Sequence, residues 1–195
     1  MTPLLLLRAL VAVAASLPAI AAAQSFSDPG LGLGVRGGVS DGASAANATF
    51  TGAVLLRYRF SASIGLEGAV GYRTETVDDG AGALLDLREV PVTGTGQLFF
   101  FPRTRVQPFL LAGAGLHVVR AAPKGRNTDV GGGTEAQFGF HFGAGVDVRP
   151  SRSSALTLEA RWVYVEPTAV TGLSDAGYDV KPGYLSVTLG VTFFR

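Results

Sequence analysis

Residues 136–148, "AQFGFHFGAGVDV", alternate without a break. Ala136, Phe138, Phe140, Phe142, Ala144, Val146 and Val148 are apolar, and Gln137, Gly139, His141, Gly143, Gly145 and Asp147 separate them. A period of two puts the two sets on opposite faces of an extended strand. A helix face repeats about every 3.6 residues and cannot produce the pattern. Strands in globular proteins mostly run about five or six residues, so an alternation this long already restricts the architecture.

The same period recurs along the chain. Leu158, Ala160, Trp162 and Tyr164 alternate with Thr157, Glu159, Arg161 and Val163, and Leu185, Val187, Leu189, Val191 and Phe193 alternate with Ser186, Thr188, Gly190 and Thr192. Ile64, Leu66, Val70 and Tyr72 likewise alternate with Gly65, Glu67, Ala69, Gly71 and Arg73. The pattern predicts eight strands, at 30–40, 49–60, 63–76, 87–101, 107–120, 135–149, 155–166 and 184–194. Several reach the roughly 9–11 residues that a tilted strand needs to cross a bilayer.

The connections alternate too. "SA", "PRTRV" and "PSRSS" are short, whereas "DGASAANA", "VDDGAGALLD", "AAPKGRNTDVGGGT" and "PTAVTGLSDAGYDVKPG" are long and polar. Short turns at one end, long loops at the other and an even strand number match a bacterial outer-membrane barrel. Closing the sheet removes both edges, whose unpaired N–H and C=O groups would find no water in lipid. The expected fold is therefore all-β, an eight-stranded antiparallel up-and-down transmembrane β-barrel.

Residues 1–23 stand apart from this pattern. They carry the early charge Arg8, the apolar run "ALVAVAASLPAIAAA" and the small residues Ala21, Ala22 and Ala23 before Gln24. This reads as a secretory signal peptide that is cleaved, leaving 24–195 as a single barrel domain. A retained membrane anchor is the alternative, disfavoured by Pro18 and the alanine-rich end. The chain has no cysteine, which removes a lipoprotein anchor, disulfides and thiolate chemistry. Without Arg8, 15 basic residues face 15 acidic ones, and no basic stripe marks a nucleic-acid partner. Mean hydropathy is positive, yet no apolar run of about 18 residues follows the signal segment.

Period-two strands also suit a soluble ligand-binding barrel, with apolar residues inside. Side-chain size favours the inverse arrangement. The mixed face interleaves glycines such as Gly113, Gly115, Gly139 and Gly143 with Arg36, Arg57, Glu67, Arg73, Glu75, His117, His141, Asp147, Glu159 and Arg161. Small and long charged residues together fill the narrow interior of an eight-stranded barrel, whereas a soluble surface has little need of so much glycine. Tyr58, Tyr72, Phe138, Phe140, Phe142, Trp162, Tyr164 and Phe193 are then expected to face lipid. Enclosed charges need partners. A tight turn at Ser61 and Ala62 sets Arg57 opposite Glu67, and the turn at 150–154 is expected to bring Asp147 near Glu159 and Arg161. These pairs read as a plug, with an ion path as the alternative.

The segments "VPVTGTGQLFFF", "QPFLLAGAGLHVV", "FHFGAGVDVRP" and "YLSVTLGVTFFR", together with the signal, resemble the small outer-membrane β-barrel family of OmpA- and OmpX-like eight-stranded barrels. The likeness spans Gln24 to Arg195. It implies a bacterial outer-membrane location and a last strand read by the barrel-assembly machinery through a terminal aromatic. Here Phe193 keeps the outward alternation, but the final outward position is Arg195.

Other chemistry finds little support. Gly32, Gly34 and Gly37 match GxGxxG, but within a strand rather than between a strand and a helix, where a dinucleotide site needs it. A serine hydrolase requires a histidine base beside its nucleophile. The histidines, His117 and His141, fall mid-strand, with Val119 and Gly143 two positions along. The long loops carry acids, Asp41, Asp78, Asp79, Asp86, Asp129, Asp175 and Asp179, that suit a divalent cation chemically but lack a metal-site spacing. No catalytic residue, metal or cofactor is therefore assigned. The expectation is a monomeric, non-enzymatic outer-membrane barrel that supports the envelope and displays loops, with outer-membrane lipid and lipopolysaccharide as its surroundings. The alternatives are a lipid A-modifying enzyme and a narrow pore.

Overall fold

The computed structural model describes residues 30–42, 49–78, 84–124, 134–165 and 183–195. The signal segment and the loop acids Asp79, Asp129, Asp175 and Asp179 lie outside them. Eight strands follow in order: β1 Gly30–Gly42, β2 Thr49–Arg59, β3 Ile64–Asp78, β4 Leu84–Phe99, β5 Val106–Lys124, β6 Thr134–Ser151, β7 Ser154–Val165 and β8 Gly183–Phe194. Each pairs antiparallel with the next, and β1 closes on β8 from Gly32↔Phe194 to Gly42↔Tyr184. The barrel has no free edge.

The alternation in the sequence becomes the two faces of the wall. Along β6, Phe138, Phe140 and Phe142 are exposed while Gln137, His141 and Asp147 are buried in the lumen. Several strands run past the predicted limits at the long-loop end. The β4–β5 ladder continues to Leu84↔Lys124, because main-chain pairing does not stop where the apolar alternation stops. The β6–β7 ladder carries one irregularity, between Val148 and Ser151, just before its short turn. In the β4–β5 turn, Phe101 adopts a left-handed φ of 50°. The backbone N–H of Thr104 bonds the Phe101 carbonyl at 3.0 Å and so holds that turn.

Glycine sets the close approaches inside the wall. Gly113 pairs in register with His141, and a Cβ there would lie 2.6 Å from His141 Nε2. Gly139 does the same for the other histidine, with a virtual Cβ 2.7 Å from His117 Nε2. Each imidazole lies over a glycine of the neighbouring strand. The interior is not uniformly polar, however. Phe99, Phe109 and Leu111 form a buried cluster inside the barrel near the short-turn end, with the two phenylalanine ring centroids 5.2 Å apart.

Candidate functional site in the barrel lumen

The lumen is stacked in layers. At the short-turn end, Arg59 donates to Gln107 Oε1 at 2.7 Å and to the Ala62 carbonyl at 2.9 Å, and its guanidinium lies 3.8 Å from the Phe99 ring centroid. Gln107 in turn donates to the carbonyls of Pro102 and Thr104. Arg149 donates to the Arg152 carbonyl and stacks over Phe194 at 4.8 Å. The cluster of Phe99, Phe109 and Leu111 adjoins this layer and adds apolar surface to the lumen.

Next comes a balanced cluster of charge, Arg36, Arg57 and Arg161 against Glu67, Asp147 and Glu159. Glu67 is its hub. It accepts from Arg36 at 2.5 Å, from Arg57 at 2.8 and 3.2 Å, from Arg161 at 3.3 Å and from Gln97 at 3.3 Å. Arg57 and Glu67 are cross-strand partners in the β2–β3 ladder. Asp147 behaves differently from the expectation. Its register partner is Thr157, and Glu159 and Arg161 sit opposite Gly145 and Gly143. Its carboxylate accepts from Thr157 at 2.7 Å and, across the lumen, from Arg57 at 3.0 and 3.3 Å. Glu159 instead accepts from Arg161 at 2.7 Å and lies 3.7 Å from Arg36. The physical reason is reach. A strand ladder fixes only neighbours, whereas a guanidinium on a long stem spans the narrow lumen.

Towards the long-loop end lies a second cluster. Arg73 pairs with Glu75 and donates to Glu89 at 3.2 Å and to Ser40 at 2.9 Å, and its guanidinium lies 4.0 Å from the Tyr184 ring centroid. Glu89 also accepts from His117 Nδ1 at 2.5 Å and from the Tyr184 hydroxyl at 3.1 Å. Between the two clusters is a cavity of about 50 Å³, lined by residues that include Arg36, His117, His141, Glu159, Arg161 and Tyr184. His141 Nε2 bonds Thr95 Oγ1 at 2.8 Å, whereas His117 Nε2 and Glu159 Oε2 have no protein partner among the described residues. A polar space of this size accommodates a few water molecules.

The structure thus places all ten of the predicted interior residues in or beside these two clusters. On the outer wall it places Tyr58, Tyr72, Phe138, Phe140, Phe142, Trp162 and Phe193 exposed, and Tyr164 half-exposed and stacked on Phe140 at 4.9 Å. Sequence reasoning missed Arg59, Glu89, Gln97, Gln107, Arg149 and Tyr184. For Glu89 and Gln97 a signal existed, since they share their strand parity with Thr95. Among the described residues no three His, Asp or Glu side chains are grouped to hold a metal ion.

The closed eight-stranded wall with a charged lumen and apolar exterior has counterparts. A model of the outer membrane protein beta-barrel domain matches residues 8–193. The chain belongs to that family. Its location is the bacterial outer membrane. In fold, this outer-membrane barrel is similar to Neisserial surface protein A, with a TM-score of 0.56 at 16% identity over 87% of this chain and 99% of that one. It is also similar to OprG from Pseudomonas aeruginosa, with a TM-score of 0.56 at 13% identity over 88% and 100%. A major outer membrane protein from Thermus thermophilus gives a TM-score of 0.58 at 12% identity over 86% and 100%. No curated protein matches the barrel in sequence.

Proposed function

We propose that this outer-membrane barrel is a structural, non-enzymatic component of the envelope, whose closed wall supports the bilayer and whose four long loops are displayed for surface contact. The filled lumen carries this reading. An apolar cluster and a hub of six paired charges occupy the path that a solute would take, and unpairing a buried charge is costly. The outer aromatic residues face lipid and lipopolysaccharide in this reading, and β8 is the strand offered to the assembly machinery.

One observation favours enzymatic chemistry, and geometry weighs against it. The contact of Glu89 with His117 Nδ1 is how an acid orients a histidine base, and His117 Nε2 borders the cavity. Yet no serine or threonine hydroxyl is hydrogen-bonded to that nitrogen among the described residues, and a cavity of about 50 Å³ admits water rather than an acylated sugar.

The reading is tested in a strain that lacks the protein. Such cells are expected to become sensitive to detergent, and wild type and a folded His117→Gln variant should restore resistance equally. Hydrolysis or acyl transfer on purified lipid A, lost in His117→Gln, would refute it. So would stable unitary conductance in planar bilayers.

A further inference from the structure

The two ends of the barrel differ in charge. Segments 60–63, 100–108, 149–154 and 192–195 form the described short-turn end and hold Arg103, Arg105, Arg149, Arg152 and Arg195 with no Asp or Glu, and the sequence before β1 adds a single acid, Asp28. At the other end, connecting segments 41–48, 77–86, 121–134 and 166–182 carry eight acidic residues against three basic ones. The overall neutrality of the chain therefore conceals a polarised molecule. In barrels of this type the short turns face the periplasm.

The basic end has a definite layout. Arg149 turns inward onto Phe194, but Arg103, Arg152 and Arg195 are exposed. They sit on the β4–β5 turn, on the β6–β7 turn and after β8, so they follow one another around the closed rim. Aromatic rings border them on the outer wall. Phe60, Phe100 and Phe193 are exposed, and Phe101, held by its left-handed backbone, is 70% exposed. Rings at this level mark a membrane interface. Every cation here is arginine, whose planar fork binds phosphate oxygens in pairs, where lysine offers a point charge.

We propose that Arg103, Arg152 and Arg195 form a binding arc for the phosphate groups of anionic phospholipids in the periplasm-facing leaflet, with Phe60, Phe100, Phe101 and Phe193 seated among the upper acyl chains. A soluble polyanion would engage the guanidiniums alone, whereas a lipid engages both the guanidiniums and the aromatic band beside them. The proposal rests on membrane insertion and is independent of whether the barrel is structural or enzymatic.

Full-length protein with a Leu98→Trp reporter in a Trp162→Phe background is reconstituted into phosphatidylcholine vesicles. Quenching by brominated phosphatidylglycerol is compared with quenching by brominated phosphatidylcholine. Heat-modifiable migration verifies folding in every sample. At low salt, the anionic lipid is expected to be preferred by about fivefold or more. The preference should vanish in 1 M salt, where screening acts within about 3 Å, and in the folded triple variant Arg103→Gln, Arg152→Gln, Arg195→Gln. Equal quenching by the two lipids in the reporter protein, or a preference retained in the triple variant, overturns the proposal. Loss of the preference at an inorganic phosphate concentration far below that of the lipid headgroups, at constant ionic strength, would assign the arc to a free anion and overturn the lipid.

Discussion

Replacing Glu67 by glutamine perturbs the lumen at its most connected point. The change keeps the shape of the side chain but removes its charge, leaving three guanidiniums on two carboxylates. Arg57 retains Asp147 at 3.0 Å, and Arg161 retains Glu159 at 2.7 Å. Arg36 loses the charge of its 2.5 Å partner and keeps only the Glu159 carboxylate, at 3.7 Å. Stranding one member of a buried pair costs about 3–5 kcal/mol. Because Arg36 borders the cavity and is the least buried of the three, about 3 kcal/mol is expected. The assay is a guanidinium titration of the folded barrel in vesicles, followed by heat-modifiable migration and Trp162 fluorescence. Glu67→Gln with Arg36→Gln rebalances the charge and should recover more than half of the loss. A single variant within about 0.5 kcal/mol of wild type, the scale of an ordinary surface change, would refute the idea that these charges act as one set. So would a double variant worse than the sum of its parts.

Three further outcomes are expected. Phe140→Arg should block assembly, since a lipid-facing arginine near the midplane costs roughly 2–4 kcal/mol, while His141→Gln should fold and migrate as wild type; equal tolerance of both would mean the wall is inverted. Gly139→Val should destabilise by about 1–3 kcal/mol through overpacking against His117 and the Tyr164 carbonyl, whereas Gly68→Ala, which meets nothing within 4 Å, should be neutral or gain about 0.5 kcal/mol, both read by the same titration. Phe109→Ala should cost about 3–5 kcal/mol, and a loss below about 1 kcal/mol would show that the apolar cluster does not stabilise the lumen.

The strands were legible because an alternating pattern has one physical reading over such length, and the Arg57–Glu67 pairing was legible because a short turn fixes the register of its own hairpin. Contacts across the lumen were not. Asp147 and Arg57 lie 90 residues apart on β6 and β2, and no hairpin register relates them. The inward Phe99, Phe109 and Leu111 were obscured for another reason. "QPFLLAGAGLHVV" is apolar on both faces, so only the parity shared by Gln107, Phe109, Leu111 and His117 reveals which side each residue takes. Glu89 escaped notice because Arg88 beside it is also charged, so that only the parity Glu89 shares with Thr95 and Gln97 assigns it to the lumen.

The hub at Glu67 has a kinetic consequence. Its partners come from β1, β2, β4 and β7, so no single hairpin, nor any half of the barrel, satisfies it. The Arg57 bond can form within the β2–β3 hairpin, but the Arg161 bond from β7 forms only when the wall closes. Interactions missing from the transition state slow unfolding without hastening folding. Glu67 is thus a latch on escape: its loss should shorten the lifetime of the inserted protein while insertion proceeds at nearly its former rate.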